Sequence, residues 1–450
     1  SYSECTNLTT AVCGDNVTDF NNTYKNCSNL TTAVCGNRVQ YMSNTYSHCT
    51  NLITAVCGPK VIDMSETYYG CDNLTTAVCG DNVSIMDTTY AYCTNLTTAV
   101  CGPNVTNLQY VYANCYNLTT AVCGPNVTNM NYTYMGCNNL TTAVCGPNVT
   151  FMGSTYKDCT NLTTAVCDNK VVNMMWTYRN CTNLTTAVCG PNVINMYYTY
   201  SECDNITTAV CGPNVTNLDG TYAGCSNLIY PICGDSVQMM ESAYSYCPSI
   251  ITPICGNNVI SMNEAYRSCN NLTTAVCGPN VTELGSYYYE PGGAYQGCIN
   301  LTTAVCGDKV VNMVNTYREC SNLTTAVCGP NVKSMAYAYC ECINIQNGII
   351  CSLVTNTQEA YKNCVNMTNI ILQNGIKYIG PDTFSGCTSL TEIDFPPTIL
   401  GLYNNTFVGC TNLTKYDFSN SLAIPSITKT TFNNISTNAK FIVPGKFYEK

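Results

Sequence analysis

Apolar positions return along this chain with a period of 22 residues. Tyrosine stands at Tyr2, Tyr24, Tyr46 and every 22nd position to Tyr266, and a cysteine follows each one three residues later. In the unit from Cys5 to Cys27 the recurring apolar columns are Leu8, Ala11, Cys13, Val17, Phe20, Tyr24 and Cys27, with Met42 and Met64 replacing Phe20 in the next units. A helical face needs spacings of three and four sustained over several turns. Here Ala11, Val12 and Cys13 instead form a short β-favouring run that stops at Gly14 and a turn. The pattern predicts one short parallel strand per unit, then a Gly-Asn or Gly-Pro-Asn turn and an irregular return. Units of this size bury their apolar face only by stacking, so the expected fold is a repeat solenoid with like residues about 4.8 Å apart on successive coils. The first cysteine column has nineteen members, from Cys5 to Cys410.

Two zones are expected. Residues 1–342 are the regular Cys/Tyr repeat, with a seven-residue insertion near 286–293, and residues 343–450 have a looser pattern and a closing segment. In that second zone Ile376, Ile379, Gly380, Thr383, Phe384, Cys387, Leu390, Ile393, Phe395 and Pro396 follow in order the pattern of BspA-like leucine-rich repeats, also called the Treponema-type repeat. Phe441, Val443, Pro444 and Tyr448 resemble that family's cap. Upstream the resemblance continues with Tyr for Phe, Met for Ile, and Ala11 and Cys13 where two Ile would stand. It implies a leucine-rich-repeat-like solenoid with about one short parallel strand per 22- or 23-residue coil. It also implies a place outside the cell or on its surface, roles in binding and adhesion, and no enzyme activity.

Charged residues are only 10% of the chain and the net charge is −10. Clustered Lys and Arg, which phosphate neutralisation requires, are missing, so nucleic acid is excluded as a partner. No apolar run approaches the roughly 18 residues of a membrane-spanning helix. Ser1 falls inside a repeat, so the chain reads as a mature product or a fragment, with either more sequence before it or something covering an open first coil.

Thirty-six cysteines point to an oxidising compartment, although buried free Cys also serves as a small hydrophobe. Cys5 and Cys13 lie too far apart along an extended stretch to bond. Equivalent cysteines on adjacent coils, in the columns Cys5, Cys27, Cys49, Cys71 and Cys13, Cys35, Cys57, Cys79, fall within the Cα separation a disulfide needs, and each column is either a disulfide ladder or a ladder of buried thiols. No CxxC occurs and His48 is the single histidine, so no metal or other cofactor is expected. Asn-Leu-Thr at Asn7, Asn29, Asn73, Asn95, Asn117, Asn139, Asn161, Asn183, Asn271, Asn300, Asn322 and Asn412 makes these asparagines glycosylation candidates. Asn-Val-Thr at Asn16, Asn104, Asn126, Asn148, Asn214 and Asn280 adds a second set.

With Ala11 and Cys13 inward, Thr10 and Val12 point out. The pair repeats as Thr32 and Val34, Thr54 and Val56, and in thirteen of the first fifteen strands. So uniform a face suits a periodic partner. The expected function is a non-enzymatic structural surface protein that assembles with itself into a filament or layer. A surface adhesin for a host or matrix ligand is the alternative, and ice binding through the Thr-x-Val rows is a third. Contact points for an adhesin would be the proline-bearing strands at Pro231 and Pro253 and the inserted Tyr287, Tyr288 and Tyr289.

Overall fold

The computed structural model describes residues 2–286 and 292–444. They fall into two compact units, one of Ser1–Val215 with Gly224–Ser226, the other of Thr216–Ala223 with Asn227–Lys450. Tyr287, Tyr288, Tyr289 and Tyr448 lie outside the described residues. Each unit is a β-solenoid, and among the described residues there is no helix.

In the first unit, a coil such as 49–71 buries Cys49, Leu52, Val61, Met64, Thr67, Tyr68 and Cys71 completely, with Ala55 nearly so. These are the sequence columns, plus a threonine before each tyrosine that pattern reading leaves out because it is polar. Its burial is satisfied locally: Thr67 Oγ1 donates to the carbonyl of Met42, one coil earlier, at 2.8 Å. Ten tyrosine rings from Tyr2 to Tyr200 stack in sequence at centroid separations of 5.4–5.9 Å, no neighbouring pair tilted by more than 14°. The offset stack keeps aromatic faces in contact while the backbone repeats at strand spacing.

The predicted strand is a full strand only at the start, where β1 (Thr10–Val12) pairs in parallel with β2 (Thr32–Val34). Beyond it, pairing shrinks to single bridges, Thr54 with Thr76, Thr76 with Thr98 and Thr98 with Thr120. A second row not expected from the sequence links Asp63 with Ile85 and Asn107 with Asn129. Each return makes two sharp turns in left-handed backbone, as at Glu66 (φ 51°) and Gly70 (φ 67°) or Trp176 (φ 53°) and Asn180 (φ 59°).

The second unit repeats the plan. Its aromatic column runs from Tyr222 through Tyr361 to Phe384, Phe407 and Phe432, at 5.4–6.0 Å. The insertion is flanked by β3 (Gly285–Ser286) and β4 (Gly292–Gly293), an antiparallel pair. A Cβ on Gly285 would overlap the Val314 carbonyl, so this neck needs glycine. Later coils carry longer strands: β5 (Asn347–Ile350) with β6 (Asn369–Leu372), β7 (Tyr378–Ile379) with β9 (Gly401–Leu402) and β11 (Ser426–Ile427), and β8 (Glu392–Asp394) with β10 (Lys415–Asp417) and β12 (Lys440–Ile442). Phe441 stacks on Tyr416 at 4.7 Å. Together with Val443 and Pro444 it lines an apolar cleft of about 210 Å³ with Phe418, Ile424, Pro425 and Ile427.

Candidate functional site

The interior is occupied by its own bonding. The hydroxyl of Tyr178 donates to the carbonyl of Val166 at 2.6 Å and accepts from the same residue's N–H at 2.9 Å. The pairing recurs at Tyr68 with Val56, Tyr90 with Val78 and Tyr134 with Val122. The partners of these hydroxyls lie at the strand positions of the coil and not in its return. A phenol seated there satisfies the backbone N–H and carbonyl of one residue without excluding a ladder: the Tyr361 hydroxyl bonds Ile349 at 2.6 and 3.0 Å inside the four-residue β5–β6 pairing. Cys13 N–H reaches the Val34 carbonyl at 3.2 Å in the β1–β2 pair, and the Tyr46 hydroxyl of that coil is buried without a partner. Phe384 and Phe432, which have no hydroxyl, close the coils of β6 and β10, where ladders are complete. Across the insertion Tyr295 still meets Val276, at 2.7 and 2.9 Å, so the bonding of the coil is kept on its far side.

The first cysteine column has a defined task. Cys27, Cys49 and Cys71 Sγ donate to the carbonyls of Tyr2, Tyr24 and Tyr46 at 3.0–3.1 Å, and the same contact recurs down both units. All eight cysteines singled out from the sequence carry free thiols. Cys5 is exposed, Cys13, Cys27, Cys49 and Cys71 are buried, and Cys35, Cys57 and Cys79 are half-buried. Burial pushes the Cys49 thiol up to about 12 and Cys79 to about 11, the opposite of what a nucleophile needs. One pair, Cys328 and Cys351, is bonded between adjacent coils with Cα atoms 6.0 Å apart. Among the described residues no group of three or more His, Cys, Asp or Glu is placed to hold a metal ion. His48 sits edge-on to Tyr69 at 5.2 Å.

Most sequon asparagines are bonded from coil to coil. In the Asn-Leu-Thr set, Nδ2 of Asn73, Asn95, Asn117 and Asn139 each donates to Oδ1 of the asparagine one coil earlier at 3.1–3.3 Å. Asn183 and Asn322 do the same, while Asn29 and Asn300 reach the carbonyls of Thr6 and Asn270. In the Asn-Val-Thr set, Nδ2 of Asn104, Asn126, Asn148, Asn214 and Asn280 donates to a backbone carbonyl of the preceding coil at 2.8–2.9 Å. Asn7, Asn16, Asn161, Asn271 and Asn412 are exposed. A motif read from the sequence as a modification signal is thus also an amide ladder.

On the outer face Thr10, Thr32 and Thr54 are exposed. Val12 is 63% and Val34 45% exposed, whereas Val56 and its successors are half-buried. In the second unit the face changes where proline enters. Tyr230 is 65% and Ile251 58% exposed, with Ile229 and Ile232 beside them, and Thr252 belongs to no bridge. Proline has no N–H to give a ladder, yet Tyr230 beside Pro231 keeps its bridge, and Tyr230 and Ile251 stand in columns that face outward on other coils too, as Thr75 and Thr76 do. Surface aromatics gather elsewhere on left-handed returns: Tyr110 stacks on Tyr132 at 4.5 Å, and Trp176 meets Tyr197 edge-on at 5.5 Å. Sequence columns hide this row because it alternates with Glu66, Thr88 and Ser154.

A family model of the BspA type leucine-rich repeat region matches six overlapping stretches, residues 1–97, 64–185, 108–229, 192–293, 237–364 and 354–449. Among solved structures, a leucine-rich repeat protein from Bacteroides ovatus is similar, with 14% identity and a TM-score of 0.47, over 86% of this chain and 91% of its own. A search of curated proteins gave no match.

Proposed function

Since the chain belongs to the BspA-type leucine-rich repeat family, we propose that it is a non-enzymatic structural protein of the cell surface or extracellular space whose repeated outer face associates with further copies of itself into a filament or layer. The single observation that carries this reading is the uniform presentation of one Asn and two Thr per coil, as at Asn73, Thr75 and Thr76, over an interior whose polar groups bond to their own backbone. Leucine-rich repeats often mediate protein interactions, and a face that hardly varies offers the same contact at every coil. No helix of the chain is long and apolar enough to cross a membrane among the described residues.

The test is assembly. Wild-type protein is expected to sediment as growing oligomers with rising concentration and to form ordered objects by electron microscopy. Lysine at Thr76, Thr98 and Thr120, a charge row that blocks strand-face pairing, should leave monomers. Monomers alone at high wild-type concentration would end the proposal. The alternative, adhesion to a host or matrix ligand, is favoured by the apolar patch of Tyr230 and Ile251. Its readout is loss of binding to immobilised matrix protein in Tyr230→Ser with Ile251→Ser. Thermal hysteresis of the same preparation reads the third use, ice binding by the Thr and Val rows.

A further inference from the structure

A groove of about 530 Å³ crosses five coils of the second unit and is lined by Thr302, Asn322, Thr324, Asn344, Gln346, Asn366, Thr368 and Ser389. Every lining side chain is an amide or a hydroxyl, and none is charged. From this we infer that the groove binds an extended neutral polysaccharide, one sugar to a coil.

Three observations carry the assignment. The lining offers both donors and acceptors in quantity: an amide that ladders to its neighbour, as Asn366 Nδ2 does to Asn344 Oδ1 at 3.1 Å and Asn322 to Asn300 at 3.3 Å, keeps a second N–H and a second lone pair free to face a ligand. The same ladder fixes the orientation of those amides in advance, so a hydroxylated ligand meets ordered partners rather than floppy ones, which lowers the entropic cost of binding. Finally, Asn and Thr repeat along the groove at about the strand spacing of 4.8 Å. An extended β-1,4-linked pyranose chain advances by about one coil per sugar and turns over at each linkage, so alternate sugars meet equivalent groups. An anionic polymer would find no cation in the lining. An apolar ligand would leave the amides unpaired.

This assignment does not rest on self-association, because it is read on the monomer. The full chain made in a bacterial host, and so free of sugar on Asn322, is titrated with neutral β-1,4-linked glucan, mannan and galactan oligosaccharides, with polygalacturonate as the charged probe. Expected are saturable binding of at least one neutral oligosaccharide, persistence in about 0.5 M salt, where charge attraction is screened, and affinity weakened about tenfold or more by Thr324→Trp, which fills the groove. Gln346→Leu keeps the volume and removes an amide; it should weaken binding while unfolding midpoints stay at the wild-type value. Failure of all three neutral probes to bind, binding of polygalacturonate alone, loss in salt, or equal affinity in both folded variants overturns the proposal.

Discussion

Tyr156 and Val144 are joined twice through one oxygen: the phenol hydroxyl donates to the Val144 carbonyl at 2.7 Å and accepts from its N–H at 2.8 Å. The tyrosine is fully buried. One side chain therefore satisfies both backbone groups of one residue.

Replacing this tyrosine by phenylalanine should therefore cost more than a lost methyl-sized contact would. Tyr156→Phe leaves a buried N–H and a buried carbonyl without their partner, a penalty of about 2 kcal/mol. Urea unfolding followed by circular dichroism checks it. A neutral or stabilising substitution would mean that the two coils close into a regular ladder once the hydroxyl is gone.

Thiol chemistry follows from the depth of each column. Native protein at pH 8 should give fast reaction with a disulfide reagent at Cys5, and the first-column thiols below it, such as Cys49 and Cys71, should react only on unfolding. Stability should also fall with alkali. Unfolded thiols ionise near 9 while Cys49 stays protonated to about 12, so above pH 9 the unfolded chain binds fewer protons than the folded one and is favoured progressively up to about pH 12. Unfolding midpoints measured between pH 7 and pH 11 read this slope; a flat profile would place the column in solvent.

Sugar attachment, where a host supplies it, should be sparse. Each glycan on the column of Asn73, Asn95 and Asn117 consumes a hydrogen from an amide that donates to its neighbour 3.2–3.3 Å away, and crowds the next coil at strand spacing. Glycopeptide mapping after secretion from a glycosylating eukaryotic host should find no two adjacent coils of this column occupied on one molecule. Sugars on consecutive coils would show that the amide ladder is dispensable.

How far the sequence spoke depends on whether a feature lives in a column of one residue type. Leu52, Val61, Met64, Tyr68 and Cys71 are such columns, and the stacked interior follows from them alone. The left-handed returns do not, since Glu66, Tyr110 and Trp176 fill the same backbone role without sharing chemistry. Bonding that jumps one coil was equally hidden. The sequon at Asn95 reads as a modification signal because its neighbours in sequence, not its partner Asn73 in space, define the motif. The backbone of Val56 is bonded by the phenol of Tyr68, twelve residues away along a return whose path no local pattern gives.

The most direct measurement is a spectrophotometric titration of tyrosine with base, followed in parallel by circular dichroism. Burial holds the phenols of Tyr68, Tyr90, Tyr134 and Tyr156 well above their usual range. Two phases are therefore expected. The interior column ionises only in the later phase, as the structure is lost. A single reversible phase near pH 10, involving all tyrosines while the fold persists, would contradict the stacked, hydroxyl-tied interior.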